Sequence, residues 1–212
     1  MTCGKIAGYA VGLPQPLSSD HVCQLFDSDE SRATAVAEFL AAGIEGGEYV
    51  LAVPRVAHWG VIAAELRRRG ISVDEEIARG RLAVSDAAST LARICPRGRL
   101  NHFAFNELVG AAVRPSNGRA MRAWGEMVDI LIERDDLAGA LELEELWNGV
   151  TEMVPIALMC SYTAARFVPV STHRGLRDLC LAHTGVRRTP QDPLADWVLT
   201  MAHHSAGPSS LH

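Results

Sequence analysis

Lysine is almost missing from this 212-residue chain: Lys5 is the only one, and arginine supplies the rest of 20 basic residues against 25 acidic ones. With a net charge of -5 and no basic cluster longer than Arg67-Arg68-Arg69, there is no electrostatic footprint for a nucleic acid. Long apolar runs are missing as well. None approaches the roughly 20 residues that cross a bilayer. Residues 1–13 carry one positive charge and lead into a proline-containing stretch, which argues against a secretory leader. The five cysteines are irregularly spaced with no C-x-x-C pair, so neither a disulfide framework nor a zinc ribbon is expected. These absences predict a cytoplasmic protein with reduced thiols and no direct nucleic-acid or membrane partner.

What is present is a chain rich enough in apolar residues, 48% against 21% charged, to build one large core. The run His21-Val22-Cys23-Gln24-Leu25-Phe26 predicts a strand. An acidic turn over 27–30 then enters a helix over 31–40, stopped by Gly43 and the Gly46-Gly47 pair. Further strands are predicted at 48–54, 81–86, 119–126 and 156–162, the last almost continuously apolar as a central parallel strand should be. Helices are predicted at 57–69, 73–78, 103–113, 127–133, 137–153 and 176–184, inside an otherwise irregular middle over 93–117. The alternation predicts one doubly wound, mostly parallel α/β domain over 18–190. Residues 1–17 are read as an extension. Residues 191–212 are read as a partly flexible tail, with one packed turn at Trp197 and Met201.

Side chains two apart on a strand share a face, so His21 and Cys23 stand side by side. The turn that follows, Asp27-Ser28-Asp29-Glu30-Ser31-Arg32, has no glycine, no lysine and three carboxylates. It lacks the glycines and the lysine that a phosphate loop needs and would repel a triphosphate. In doubly wound sheets ligands bind beyond the carboxyl ends of the strands at the switch in strand order. If the first and fifth strands are neighbours, Cys23 and Cys160 approach each other, with Tyr162, the Asp27 turn and the Glu126 region at the rim. Each residue also has a plainer reading. Cys160 and Cys180 fit as packing, His21 as a hydrogen-bonded strand-start histidine, and Trp147 as core. Glu126 fits as the partner of Arg122 or Arg119, Glu144 as a helix anchor, and His183 as a helix-terminal cation. Nitrogen and sulfur donors from His21, Cys23, Cys160 and His183 would suit zinc or iron. A Cys-His nucleophile lacks an orienting acid and a glycine-rich oxyanion turn, so no catalytic residue is assigned.

Several spaced motifs together resemble one family. They are His21-x-Cys23-x-x-Phe26, Arg122-x-x-Gly125-Glu126-Met127, Leu143-Glu144-x-Leu146-Trp147-Asn148, Leu158-Met159-Cys160-Ser161-Tyr162 and Cys180-x-x-His183. The set is similar to the MEDS domains, the sensory domains of methanogens and methylotrophs named for the regulator DcmR. The resemblance implies a RecA-like (P-loop NTPase-like) fold that has lost its phosphate loop. It also implies non-catalytic sensing of small hydrocarbon derivatives in prokaryotic signal transduction. The partner it implies is a histidine kinase, an anti-sigma-type protein or a transcription regulator, and a homodimer stays open. Carried onto this chain, the ligand-binding candidates are His21, Cys23, Phe26, Asp27, Arg122, Glu126, Cys160 and Tyr162, with no cofactor expected. Two positions depart from the family pattern: Phe26 stands where tyrosine is also common, and Ser161-Tyr162-Thr163 replaces Ala-Tyr-Pro, freeing the backbone after Tyr162. The alternatives are a degenerate module that binds ATP or ADP without efficient hydrolysis, a zinc or iron sensor, and a pure interaction module. The irregular stretch over 93–118 is the candidate lid or partner surface.

Overall fold

The computed structural model describes residues 20–204. The expected extension over 1–17 and the end of the chain past residue 204 lie outside the described residues. The apolar run forms β1 (His21–Phe26), buried along its whole length. Ser28 then caps α1 (Asp29–Glu45): its hydroxyl accepts from the Ser31 N–H at 3.1 Å, and Asp29 and Glu30 in the first turn complement the helix dipole. Gly46 caps the far end, and Gly47, at φ 75°, makes the left-handed turn into β2 (Tyr49–Val53). Next come α2 (Val56–Arg68), α3 (Val73–Ala78) and β3 (Leu82–Val84). They are followed by α4 (Ala87–Ile94), α5 (His102–Val113), β4 (Met121–Gly125), α6 (Met127–Glu133) and α7 (Leu137–Met153). The chain then runs through β5 (Ile156–Thr163), α8 (His173–Leu181), β6 (Gly185–Arg187) and α9 (Pro193–His204).

The strands form one parallel sheet in the order β3-β2-β4-β5-β1-β6, as the doubly wound reading expects. Every parallel connection needs a crossover helix, so both faces are covered and the strands are mostly apolar and buried. Val22, Phe26, Val50, Trp124 and Met159 face one core, shared with α1, α2 and α3. Cys23, Leu25, Leu51, Leu158, Cys160 and Tyr162 face the other, shared with α4 through α9. Among the described residues no helix is long and apolar enough to cross a membrane.

The structure departs from the sequence reading in four places. Residues 87–94, read as loop, are α4: Asp86 caps it by accepting from the Ser89 N–H at 2.7 Å, and Ala87, Leu91 and Ile94 bury one side. Within the middle stretch the expected helix over 103–113 is present as α5, which seats Phe105 in the core edge-on to Trp147. β6 escaped notice because three residues carry no periodicity; its pairing with β1 defines it. The tail contains a 12-residue helix whose buried positions are Ala195, Val198, Leu199 and Ala202, while Trp197 remains 45% exposed.

Gly43 is not a helix stop but lies inside α1, where the Arg122 side chain crosses from β4. A Cβ there would stand 2.8 Å from Arg122 Cδ and 3.0 Å from Val50 Cγ2. Gly43→Ala is therefore expected to destabilise by about 1–3 kcal/mol, although alanine is the better helix former. A urea midpoint that does not fall would show that Arg122 yields at no cost.

Candidate functional site

Pairing of β1 with β5 puts Cys23 opposite Cys160, His21 opposite Leu158 and Leu25 opposite Tyr162. The two strands thus present an imidazole, two thiols and a phenol to the same face. Helix α7 lies over them and brings Glu144, Trp147 and Asn148, one turn apart, onto its buried side. The turn after α8 adds His183. The sequence reading ended the last helix on this residue; the helix stops at Leu181, and the extra turn swings the ring inward.

Glu144 sits at the centre. Its Oε2 lies 3.1 Å from His21 Nε2 and 3.4 Å from the Cys160 Sγ that donates to it. Its Oε1 lies 3.4 Å from His183 Nε2 and accepts a hydrogen bond from the Tyr162 hydroxyl. His21 Nε2 is also 3.4 Å from Cys160 Sγ, and the two imidazole centroids are 4.3 Å apart. The outer ring nitrogens are fixed. Asn148 Nδ2 donates to the Ala182 carbonyl at 2.8 Å, so its Oδ1 faces His21 Nδ1 and accepts from it at 2.7 Å. His183 Nδ1 donates to the Leu179 carbonyl at 2.7 Å. Burial drives the Glu144 carboxyl up, but the imidazoles of His183 and His21 outweigh it and hold the group well below the carboxylate range. Burial, reinforced by that carboxylate, pushes the Cys160 thiol and the Tyr162 phenol well above their ordinary values. The cluster is a closed set of oriented donors, and His21, Glu144, Cys160 and His183 are the residues that could hold a metal ion. Cys23 stands apart from it: its thiol donates to Cys180, and that bond and burial raise its pKa.

A second polar group gathers beyond the carboxyl ends of β1, β4 and β5, where a cleft of about 310 Å³ opens. Arg32, 4% exposed, lies beneath it. Its Nη1 donates to Asp29 at 2.7 Å, its Nη2 to Thr163 at 3.1 Å, and its Nε is 3.4 Å from Glu126. Glu126 holds His58 Nδ1 at 2.7 Å and accepts from the Arg55 N–H at 2.8 Å. Arg55 and Arg166 bracket Asp129 and Glu133, and hydrogen bonds from the two arginines pull the Glu133 carboxyl below its ordinary range. The free backbone after Tyr162 has a use: the Thr163 N–H, which a proline would lack, donates to Asp129 at 2.9 Å.

The acidic turn at the mouth of this cleft is filled from within the chain. Asp192 accepts from the Asp27 N–H at 2.9 Å and from the Ser31 hydroxyl at 2.5 Å, while Asp27 caps α9 through the Leu194 and Ala195 N–H groups, both at 2.7 Å. The carboxylate of Asp192 thus occupies the place where a phosphate would meet the start of α1.

The eight candidate ligand residues therefore separate. His21, Cys160 and Tyr162 are sealed with Glu144, and Cys23 lies beside them. Phe26 faces the opposite core with the Arg32 guanidinium 5.6 Å from its ring centroid; it, Asp27 and the nearby Glu126 belong to the cleft. Arg122 joins neither group. Its pair is Glu48, at 2.7 and 2.9 Å, and not Glu126, one of the alternatives read from sequence, because four residues of strand rise, about 13 Å, separate the two and Arg122 lies near the start of β4 against α1. Sequence reasoning missed Asn148, Arg32, His58, Asp129 and Asp192, and gave Glu144 only an anchoring role. The available signal for Glu144 was a carboxylate inside the apolar stripe of the strongest helix.

No curated protein is significantly similar to this chain. In three dimensions it is similar to a KaiC-like protein from the hyperthermophilic archaeon Pyrococcus horikoshii OT3, at 15% sequence identity and a TM-score of 0.49. The alignment covers 68% of this chain and 61% of that one, under two thirds of the neighbour's length. The sequence profile of the methanogen/methylotroph, DcmR sensory domain matches residues 20–184, and its conserved span runs from β1 to the turn that carries His183. The chain belongs to the MEDS family of sensory domains.

Proposed function

We propose that this domain is a non-catalytic sensor that binds a small hydrocarbon derivative in the cleft at the carboxyl ends of β1, β4 and β5 and relays its occupancy to a signalling partner. The observation that carries the reading is the Asp192 carboxylate seated on the Asp27–Ser31 turn. A carboxylate hydrogen-bonded to that turn takes up the N–H and hydroxyl donors that a nucleotide phosphate would require and repels the phosphate charge. A small molecule with one polar end needs no such cradle. The Arg32, His58 and Glu126 groups offer donors and acceptors for its head, with Phe26 beside them. Asp27 lines the same cleft and caps α9, so displacement of the turn by a ligand would loosen that helix and give the partner something to read.

Thermal unfolding in the presence of ATP and ADP, set against small alcohols, methylated amines and halomethanes, tests the proposal. Nucleotides are expected to leave the melting temperature unchanged. A true ligand at about 100 times its dissociation constant adds about 2.7 kcal/mol and raises it by several degrees. Stabilisation by ATP, or its steady hydrolysis, would overturn the sensor reading in favour of a nucleotide-binding module. No shift with any of these compounds would favour an interaction module.

A further inference from the structure

The buried cluster carries an inference that stands apart from the cleft and its ligand. We propose that His21, Glu144, Cys160 and His183 form a closed four-donor site for a tetrahedral divalent transition-metal ion of the zinc or ferrous type. The hydrogen bonds around the cluster fix the tautomers. Both imidazoles donate through Nδ1, to Asn148 Oδ1 and to the Leu179 carbonyl, and neither acceptor can reverse its role: Asn148 Nδ2 is engaged with Ala182, and a carbonyl has no proton. A neutral ring held this way presents a lone pair at Nε2. Both lone pairs point at Glu144 oxygens, at 3.1 and 3.4 Å, and His183 Nε2 has no hydrogen-bond donor to receive. A proton on Nε2 or a metal ion among these atoms makes that arrangement favourable.

Spacing and charge select a metal ion over extra protons. A tetrahedral ion with bonds of about 2.0–2.3 Å has donor-to-donor edges of about 3.3–3.8 Å. Here the triangle of His21 Nε2, Glu144 Oε2 and Cys160 Sγ has edges of 3.1, 3.4 and 3.4 Å, His183 Nε2 lies 3.4 Å from the other Glu144 oxygen, and one donor atom from each residue lies within 4.8 Å of all the others. One imidazolium would balance the carboxylate but leave the other Nε2 lone pair against it, and two would leave a net positive charge in a sealed core. A divalent ion with the Glu144 carboxylate and the Cys160 thiolate sums to zero. Binding displaces the Cys160 thiol proton to solvent and forms the metal–sulfur bond in its place, with no change of oxidation state. Two nitrogens, one oxygen and one sulfur suit zinc or ferrous iron, and Asn148, the Leu179 carbonyl and the Tyr162 hydroxyl orient the donors from outside. All four ligand side chains are buried, so the ion enters as the chain folds and exchanges slowly afterwards.

The test is to unfold the full chain in denaturant with a chelator, refold it with cobalt(II) under reducing conditions, and record its absorption and its metal content after desalting. One cobalt per chain, with a thiolate-to-cobalt charge-transfer band and the ligand-field bands of a tetrahedral ion, is the expected result. Cys160→Ser should lose the charge-transfer band, whereas Cys23→Ser should keep it. Refolding with no bound cobalt, or cobalt held without the thiolate band as the surface residues His203 and His204 would hold it, overturns the proposal. So does a thiolate band that survives in Cys160→Ser. Should Cys160→Ser fail to fold, the wild-type spectrum and stoichiometry decide alone.

Discussion

Glu144→Ala is expected to lower the unfolding free energy by about 3–5 kcal/mol, the usual cost of removing one member of a buried charged network. The carboxylate is fully buried and meets His21, His183, Cys160 and Tyr162 at once. Truncation leaves the Tyr162 phenol with no acceptor, leaves the Cys160 thiol only His21 Nε2 at 3.4 Å, and opens a void against two imidazoles. Glu144→Gln keeps the volume and one carbonyl acceptor, so it should lose clearly less than the alanine variant. Equilibrium denaturation in urea, with the slope compared to the wild type, measures both. A loss under about 1 kcal/mol for Glu144→Ala would mean that the cluster is not a stabilising network.

The second large effect is expected at Glu126. Glu126→Ala removes the buried partner of Arg32 and His58 and the acceptor of the Arg55 N–H. Asp29 still pairs with Arg32, but at 64% exposure it compensates weakly. A loss of about 3 kcal/mol follows, at the lower end for a broken buried pair. The double variant Arg32→Met with Glu126→Leu removes both charges together and should recover most of it. A double variant no more stable than Glu126→Ala would show that the cost is lost packing and not a stranded guanidinium. Any ligand-induced rise in melting temperature should also vanish in Glu126→Ala, since the cleft loses the buried carboxylate that positions Arg32 and His58.

Much of this geometry was legible in the chain. The strand His21–Phe26 and the helices at 127–133 and 137–153 follow from apolar pattern, and the sheet meets the condition, β1 beside β5, on which the sequence reading rests its pocket. Such signals are local, and they fail where local signal is short: three residues of β6 owe their conformation to β1 alone, and α4 hid behind a run of Ser, Thr and Ala. The site divides in the same way. Cys23 and Cys160 could be brought together because strand register is a simple rule, but the partners of Glu126 come from α1, α2 and the turn after β2, and no spacing links them. Closeness in sequence offers Arg122 or Arg119 as a partner for Glu126. Along a strand, however, four residues span about 13 Å, and Arg122 meets Glu48 instead.

The place of β1 in the sheet has a consequence for synthesis. The first strand described is flanked on both sides by the last two, β5 and β6, and the buried donors span residues 21 to 183. As the chain leaves the ribosome, β1 therefore emerges with neither neighbour available, stays unpaired until residue 163 has followed, and keeps one open edge until residue 187. Nascent β1 is thus the segment of this domain with the longest need of shelter, and closure of its sheet marks the end of translation of the domain, not its beginning.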